Sequence, residues 1–224
     1  MILGKLIVIE GLDGSGKSTQ AKLLSERLTS RDLKNIRIKL PDYESPSSAL
    51  VRMYLDGAFG RDPLDVNAYA ASLFYSVDRY ANYRKKWQKQ YESGMYIIAD
   101  RYTTSNAIHQ MSKLGKDQWD PFLDWLSDIE YKKMGIPAPD KVIYLDMPVD
   151  VSQQLMTSRY SGNEARKDLH ESDVVYLEQC REAAMYAAKK LNWQMIDCCD
   201  LHGPRSVGDI ANDIFAAAES SVLG

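Results

Sequence analysis

The stretch that decides the fold is IVIEGLDGSGKSTQ, residues 7–20. It begins with a short apolar run rich in β-branched residues, which is typical of a strand buried on both faces. The segment from Gly11 to Ser18 then matches the phosphate-binding pattern G-x-x-x-x-G-K-[ST], and apolar residues at helical spacing follow it. A strand, a glycine-rich turn and a helix in this order predict a loop that binds a nucleoside triphosphate.

The chemistry of such a loop assigns a role to each kind of residue in it. Its glycines let backbone N–H groups converge on phosphate without a Cβ in the way, and the helix directs its positive dipole end at the anion. Lys17 would hold the β- and γ-phosphates, and the Ser18 hydroxyl would ligate Mg²⁺. We therefore expect ATP and Mg²⁺ as cofactors, bound through Gly11, Leu12, Asp13, Gly14, Ser15, Gly16, Lys17, Ser18 and Thr19.

The rest of the chain alternates between apolar runs and helical patterns. Residues 5–10 form the first predicted strand, and further strands are predicted over 36–40, 95–99, 141–146 and 193–197. Helical patterns lie between them, over 48–56, 65–92, 104–113, 117–133, 149–157, 172–191 and 206–218. Strands separated by helices predict an α/β fold, a parallel sheet of about five strands with helices on both faces. We expect a single domain over residues 1–224.

Composition narrows the class of protein. The chain has 224 residues, 45% of them hydrophobic, and a formal net charge of −3. This balance argues against broad binding to nucleic acid or to membranes, and the phosphate loop makes small-molecule nucleotides the expected partners. The three cysteines lack metal-ligand spacing and are expected to be reduced thiols. No signal peptide or long apolar span is evident, and the expected location is the cytoplasm.

The triplet Asp-Arg-Tyr occurs twice, at residues 78–80 and 100–102. The second copy follows an apolar strand, so Asp100 can reach Mg²⁺ across from the phosphate loop. Arg101 would face the same crevice and could neutralise the oxygens of a phosphoryl group in transfer. The guanine-reading pattern N-K-x-D is absent, which disfavours a GTPase. These residues favour a kinase.

With these motifs the chain resembles the thymidylate kinase family of P-loop nucleoside-monophosphate kinases over nearly its whole length. The resemblance includes LPDY, SLFYSVDRY, IIADRYTTSNAIHQ, PAPDKVIYLD and NWQMID. It implies a P-loop kinase fold with a short lid at about residues 157–172. It also implies transfer of a phosphoryl group from MgATP to dTMP, giving ADP and dTDP, and a homodimer.

The resemblance also suggests roles for individual residues. Asp13 would approach the 3′-hydroxyl of the acceptor sugar. Tyr75 and Arg79, one helical turn apart, would recognise the base by stacking and by donation to an exocyclic carbonyl. Two further segments would complete the acceptor pocket, with Ser105 and Asn106 lining the base and His109 lying near the sugar.

The sequence departs from the family's pattern at positions that often carry arginine. Tyr43 stands where many members place an arginine against the acceptor phosphate, so that contact would come from Arg101, from the Tyr43 hydroxyl or from another cation such as Arg52. Gly14 stands where some members have a loop arginine. The lid would then supply the catalytic cation, with Arg159, Arg166 and Lys167 as the candidates.

Two alternatives remain open on these residues. One is a related kinase acting on another pyrimidine nucleotide or on a deoxynucleoside. The other is a non-catalytic module that binds ATP as a switch or a structural ligand. Lys17, Ser18, Asp100 and Arg101 occurring together argue against the second alternative.

Overall fold

The computed structural model describes residues 3–159 and 173–220. Its main feature is a parallel sheet of five strands in the order β2-β3-β1-β4-β5. The strands are β1 (Lys5–Gly11), β2 (Asn35–Lys39), β3 (Tyr96–Asp100), β4 (Lys141–Asp146) and β5 (Gln194–Asp197). All five lie where the sequence predicts them, to within one residue at either end. The predicted α/β fold is confirmed.

The strand that precedes the phosphate loop lies in the centre of the sheet. Lys5 of β1 pairs with Tyr96 of β3, and Ile7 of β1 pairs with Lys141 of β4. Because the strands are parallel, their carboxyl ends meet at one edge. That edge brings Gly11 beside Asp100 and Asp146, and a crevice for ligands is expected there.

The side chains of β1 alternate between two hydrophobic cores. Leu6 and Val8 pack into one core, and Ile7 and Ile9 pack into the other. This alternation explains the unbroken apolar run, since a central strand covered by helices on both faces is buried on both faces. Residues 17–28 and 210–218 cover one face, and residues 107–126 and 176–188 cover the other.

The helices are close to those the sequence predicts. Their bounds are α1 (Lys17–Thr29), α2 (Ala49–Leu55), α3 (Ala68–Asn82), α4 (Gln88–Glu92), α5 (Thr104–His109), α6 (Trp119–Ser127), α7 (Val149–Arg159), α8 (Val174–Lys190) and α9 (Val207–Ala218). Side-chain caps fix several of the starts. Asn67 accepts a hydrogen bond from the backbone of Ala70 at 2.9 Å, for example, and so begins α3 one turn later than predicted.

Some predicted helices are composite. The pattern over 65–92 forms α3, a π-helical turn at Tyr83–Trp87 and α4. The pattern over 117–133 likewise ends in a π-helical turn at Asp128–Lys133. A small antiparallel hairpin, β6 (Cys199–Asp200) with β7 (Gly203–Pro204), was not predicted. Within the described residues the three cysteines are free thiols, and no helix is long and apolar enough to cross a membrane.

Candidate active site

The loop between β1 and α1 has the form that the phosphate-binding pattern predicts. Gly16 precedes α1 with φ 89°, a left-handed conformation that a glycine adopts without strain. A Cβ built on Gly16 would meet no described atom within 4 Å, whereas one on Gly11 would lie 2.5 Å from Ser15 Oγ. Gly11 therefore permits close packing inside the protein, while Gly16 faces open space in which a phosphate could lie.

A small cavity of about 90 Å³ lies against this loop. Its lining is mostly polar, and it combines the phosphate loop with the ends of two neighbouring strands. The lining residues are Asp13, Gly14, Gly16, Lys17, Ser18, Lys39, Asp100 and Arg101. The structure thus brings together the residues that sequence patterns assigned separately to ATP and to phosphoryl transfer.

The Lys17 ammonium lies inside the loop. It donates to the carbonyl of Leu12 at 2.7 Å and lies 3.6 Å from the Asp13 carboxylate. Burial and the neighbouring guanidinium of Arg101 lower the pKa of Lys17. The negative charge of an incoming phosphate would oppose both effects and raise the pKa of Lys17 again.

Ser18 and Asp100 form the candidate metal site. The Ser18 hydroxyl donates to Asp100 Oδ2, so one hydroxyl and one carboxylate lie side by side at the loop's edge. Mg²⁺ commonly takes one or two protein oxygens and completes its octahedron with waters and phosphate oxygens. These two side chains fit that donor set. Among the described residues no group of three or more His, Cys, Asp or Glu side chains could hold a metal ion.

Arg101 connects the phosphate loop to α5. Its Nη2 donates to Asp13 Oδ1 at 2.6 Å, and its Nη1 lies 3.2 Å from His109 Nε2. Its backbone has φ 70°, in the left-handed region where a non-glycine residue is strained. Its backbone N–H nevertheless donates to Ile9 of β1 at 3.2 Å, which holds the residue at the sheet edge.

The Asp13 carboxylate remains ionised between these two cations. Burial alone would raise the pKa of Asp13, but the charges of Arg101 and Lys17 outweigh it and hold the pKa well below its usual range. Asp13 is therefore an acceptor of hydrogen bonds across the accessible pH range. It can orient a cation or accept a hydrogen bond from a sugar hydroxyl.

A buried carboxylate, Glu10, lies behind Arg101. Its Oε1 accepts hydrogen bonds from the hydroxyls of Thr104 and Ser105, and its Oε2 accepts one from the Gly11 backbone at 3.1 Å. Oε2 also lies 3.9 Å from Arg101 Nη1. Glu10 thus connects the end of β1 to the start of α5 and contributes negative charge beneath the guanidinium.

Arg79 lies in a buried ion pair. The side chains of Arg79 and Glu130 are 3% and 0% exposed, and both Nε and Nη2 of the arginine donate to the carboxylate. Ser76 adds a hydrogen bond to Glu130 at 2.6 Å. The remaining Nη1 lies 3.4 Å from the carbonyl of Tyr102. Glu130 therefore fixes the plane of the guanidinium.

The other residues predicted to contact the base and sugar lie on α3 and α5. Tyr75 is half-buried and makes an edge-on contact with Tyr54, with ring centroids 6.4 Å apart. Asn106 is buried, and its amide lies 3.4 Å from the carbonyl of Ser72. His109 is also buried, with Nδ1 3.5 Å from Cys180 Sγ.

The loop after β2 is fastened to α3 by a carboxylate. Asp78 Oδ2 accepts from the backbone of Asp42 at 2.8 Å, and its Oδ1 accepts from the Ser47 hydroxyl at 2.6 Å. On the other side of this loop Arg52 Nη1 donates to the carbonyl of Tyr43 at 2.6 Å. The Tyr43 side chain itself is 46% exposed.

Comparison with known proteins decides the family. The model of the family described as thymidylate kinase matches residues 9–201, most of the chain. The chain belongs to the thymidylate kinase family. A probable thymidylate kinase from Thermococcus onnurineus is 31% identical over 97% of this chain and 98% of its own. One from Thermococcus gammatolerans is 29% identical over 99% of both.

A solved thymidylate kinase from Candida albicans has the same fold. It superposes with a TM-score of 0.71, covers 97% of this chain and 92% of its own, and is 24% identical in sequence. The predicted family and enzyme class, an ATP-dependent nucleoside-monophosphate kinase, are confirmed by these comparisons together. They do not favour the alternative kinase or the non-catalytic module.

Several residues in or near this candidate site were missed by sequence reasoning. Glu10 and Asp78 are adjacent to predicted site residues, but no sequence pattern indicates which residues they contact. Glu130 lies 51 positions from Arg79, at no periodic spacing. Lys39 could have been predicted to line the crevice, because it is the last residue of β2. Asp100 was predicted to lie there from the same position at the end of β3.

The lid falls largely outside the part of the chain that the structure describes. Arg166 and Lys167 belong to residues 160–172, which the structure does not describe. Arg159 is the last residue of α7. Thr19 is exposed in the first turn of α1. The predicted roles of these residues stay predictions.

Proposed function

We propose that this kinase transfers the γ-phosphoryl group of ATP to dTMP, giving ADP and dTDP. The observation that carries the proposal is the shared cavity, in which the phosphate loop and Arg101 meet. Such an arrangement suits a reaction between two phosphate-bearing molecules, because both anions must be held close together against their repulsion. The names of the relatives support dTMP as the acceptor.

The protein's part in the reaction is positioning and neutralisation. An ionised oxygen of the acceptor phosphate attacks the γ-phosphorus in line, and the bond from that phosphorus to the β,γ-bridging oxygen breaks. The attacking oxygen already lacks a proton near neutral pH, so no strong general base is needed. Lys17 and Arg101 stabilise the charge on the transferred group, and Asp13 orients Arg101 and the acceptor sugar.

ATP and Mg²⁺ fit the residues present. The open face at Gly16 and the buried Lys17 suit the β- and γ-phosphates, and the remaining loop residues from Gly11 to Thr19 would surround them. Ser18 and Asp100 would hold Mg²⁺. When bound, this ion neutralises charge on the phosphate oxygens.

The acceptor side would be formed by α3 and α5. Tyr75 would stack on the base, Arg79 would donate to its carbonyl, and Ser105 and Asn106 would line its edge. His109 would lie near the sugar. Glu130 supports this assignment for Arg79, because it fixes the plane of the guanidinium, whose Nη1 lies 3.4 Å from the carbonyl of Tyr102 and carries a second N–H that could serve the base.

The remaining parts of the proposal concern the phosphate contacts and the lid. Tyr43 and Arg101 are proposed to contact the acceptor phosphate. Arg159 and Arg166 of the lid, residues 157–172 of the single domain, are proposed to close over ATP and to add positive charge. A closing lid would also exclude water, whose attack on ATP is the competing reaction.

We also propose a homodimer acting in the cytoplasm. Three apolar residues of α3 are spaced so that they share one face, and each is exposed: Leu73 by 41%, Val77 by 49% and Tyr80 by 40%. Apolar side chains grouped in this way are commonly covered by a partner. The reduced cysteines suit a reducing compartment.

A coupled assay tests the proposal. The purified protein is supplied with ATP and Mg²⁺, and ADP release is measured with dTMP, dUMP, other monophosphates and thymidine. We expect the highest kcat/KM with dTMP. Faster turnover of another acceptor would contradict the assigned substrate, and hydrolysis of ATP without phosphorylation of any acceptor would contradict the proposed reaction.

A further inference from the structure

Lys39 lies at the same sheet edge as the candidate metal carboxylate. It is the last residue of β2, and its Cα is paired with that of Asp100, the last residue of β3. Leu40, the next residue, donates its backbone N–H to the Asp100 carbonyl at 3.1 Å. Lys39 lines the same cavity as Lys17 and Arg101. Sequence patterns assigned it no role.

The charges around the cavity give Lys39 a distinctive position. Lys17 and Arg101 are both engaged by Asp13, at 3.6 Å and 2.6 Å. Lys39 is exposed as a whole residue, and its ammonium makes no hydrogen bond or ion pair with any of the residues that the structure describes. It is thus the cation of this cavity that has its full charge available to a ligand.

Without Lys39 the cavity would be poorly suited to phosphate. Asp13 and Asp100 balance the charges of Lys17 and Arg101, and the buried Glu10 adds a further negative charge 3.9 Å from Arg101. A ligand that brings several negative charges needs an excess of positive charge, beyond what a bound Mg²⁺ contributes to the donor. Lys39 supplies positive charge at the place where the lining otherwise lacks it.

The position of Lys39 in the sheet decides which phosphate it faces. β2 is an edge strand beyond β3, so Lys39 lies on the side of the phosphate loop opposite to β4 and β5. The chain continues from Lys39 into the loop that Asp78 fastens to α3. α3 is one of the two helices that would form the acceptor side. The position therefore favours the acceptor phosphate over the adenosine portion of ATP.

Neither Tyr43 nor Arg52 supplies the positive charge that the acceptor phosphate needs in this loop. Tyr43 stands in the same loop where an arginine would be expected, and a phenol carries no positive charge at neutral pH. Arg52 uses Nη1 to hold the loop through the carbonyls of Tyr43 and Ser45. We propose that Lys39 binds the phosphate of the acceptor nucleotide and replaces the arginine that is missing at Tyr43.

This inference rests on the proposed function. Binding measurements on wild type test the proposed function, and the same measurements on variants test the role of Lys39. We would measure Kd for dTMP, for thymidine and for ATP by titration calorimetry with wild type, Lys39→Met and Lys39→Arg. Arg37→Met is the matched control, because Arg37 is an exposed cation two residues earlier on the same strand and lies about 7 Å farther from the cavity edge.

We expect Lys39→Met to weaken dTMP binding by about 10- to 100-fold, the usual cost of one charge-assisted hydrogen bond. Its affinity for thymidine, which lacks the phosphate, should stay within about twofold of wild type by the same reasoning. ATP binding should change little, Lys39→Arg should recover much of the dTMP affinity, and Arg37→Met should behave as wild type.

Equal loss of dTMP and thymidine affinity in Lys39→Met would overturn the inference, because it would indicate a disturbed pocket rather than a lost phosphate contact. Unchanged dTMP affinity would overturn it as well. If wild type itself bound no dTMP, the proposed function would fail, and the assignment of Lys39 would fail with it.

Discussion

At the scale of single residues, Arg79 is both half of a buried ion pair with Glu130 and a proposed contact of the base. Both side chains are almost fully buried, and two nitrogens of the guanidinium are bound to the carboxylate. A buried charge left without its partner is costly, whereas replacement of both charges by apolar groups of similar size can be nearly neutral. This difference allows the structural role of Arg79 to be separated by mutation from its proposed role in base recognition.

Glu130→Gln is expected to lower the free energy of unfolding by about 3–5 kcal/mol, because Arg79 stays buried and charged without a counter-ion. The double variant Arg79→Met/Glu130→Met should recover most of that loss. Urea denaturation of both proteins measures the effect. A stable double variant that still binds dTMP as wild type does would remove Arg79 from the list of base-contacting residues.

Glycines of the phosphate loop should respond differently to alanine. At Gly16 an added Cβ enters open space, so the unfolding free energy should fall by only about 1–2 kcal/mol for the left-handed backbone, while ATP binding is lost. At Gly11 the Cβ would lie 2.9 Å from the Leu145 carbonyl and should destabilise the fold itself. Thermal unfolding and ATP titration of both variants test this contrast.

Lys113 should give the protein a recognisable pH dependence. Burial lowers the pKa of its ammonium from 10.5 to about 8. Between these values the unfolded chain binds more protons than the folded one, so this group makes stability rise as pH increases from about 8 to 10.5.

The comparison to make is with Lys113→Met, which lacks this group. The difference in unfolding free energy, wild type minus variant, should grow in favour of wild type between pH 7.5 and pH 10, measured by urea denaturation at each pH. A difference that stays constant across this range would contradict the assignment.

At the scale of elements, α3 serves two parts of the site at once. One turn of the helix carries Tyr75 and Arg79, and between them Asp78 holds the loop that follows β2. Asn82, a turn later, donates to Asp42 of the same loop at 3.1 Å. The helix that would recognise the base therefore also sets the position of the loop beside the acceptor phosphate.

Asp78→Asn is expected to loosen this attachment, since an amide nitrogen would face one of two hydrogen-bond donors. KM for dTMP should rise about tenfold while KM for ATP stays within about twofold. Asp56→Asn, at an exposed position after α2, is the matched control. Steady-state kinetics give both KM values. An equal rise in the two would contradict a specific role for Asp78 on the acceptor side, because it would indicate that the whole active site is disturbed.

The elements of the fold and their contacts differ in how far they could be predicted from sequence. The strands were found because five buried runs of apolar residues are a local signal, and Asp100 and Arg101 were found because the end of such a run predicts a position in space. The π-helical turn at Tyr83–Trp87 was missed because its residues keep a helical pattern. Glu130 was missed because its contact joins distant segments, which no local pattern encodes.

At the scale of the whole molecule, the two nucleotides would approach from opposite sides of β1. The sheet order places β3 and β2 on one side of it and β4 and β5 on the other. The family and the α/β architecture could be predicted from sequence, because the phosphate loop and the alternation of buried strands with helices are local patterns. The distribution of charge in the crevice could not, because it depends on which side chains are already paired with each other.

The exposed face of α3 predicts how copies of the chain would associate. Val77→Asp should convert the proposed dimer into a monomer, because it places a charge at the centre of an apolar patch. Val207→Asp, on the exposed start of α9, is the control. Light scattering after size-exclusion chromatography gives the mass of each protein, and a dimeric Val77→Asp variant would place the interface elsewhere.

The pairing of β1 has a consequence for the order in which the chain folds. Its partners on either side are Tyr96–Asp100 and Lys141–Leu145, so its hydrogen bonds close loops of roughly 90 and 135 residues. During synthesis β1 leaves the ribosome long before either neighbour exists. The nucleotide-binding loop, among the first segments to be translated, therefore gains its final shape only after more than half of the protein has been made.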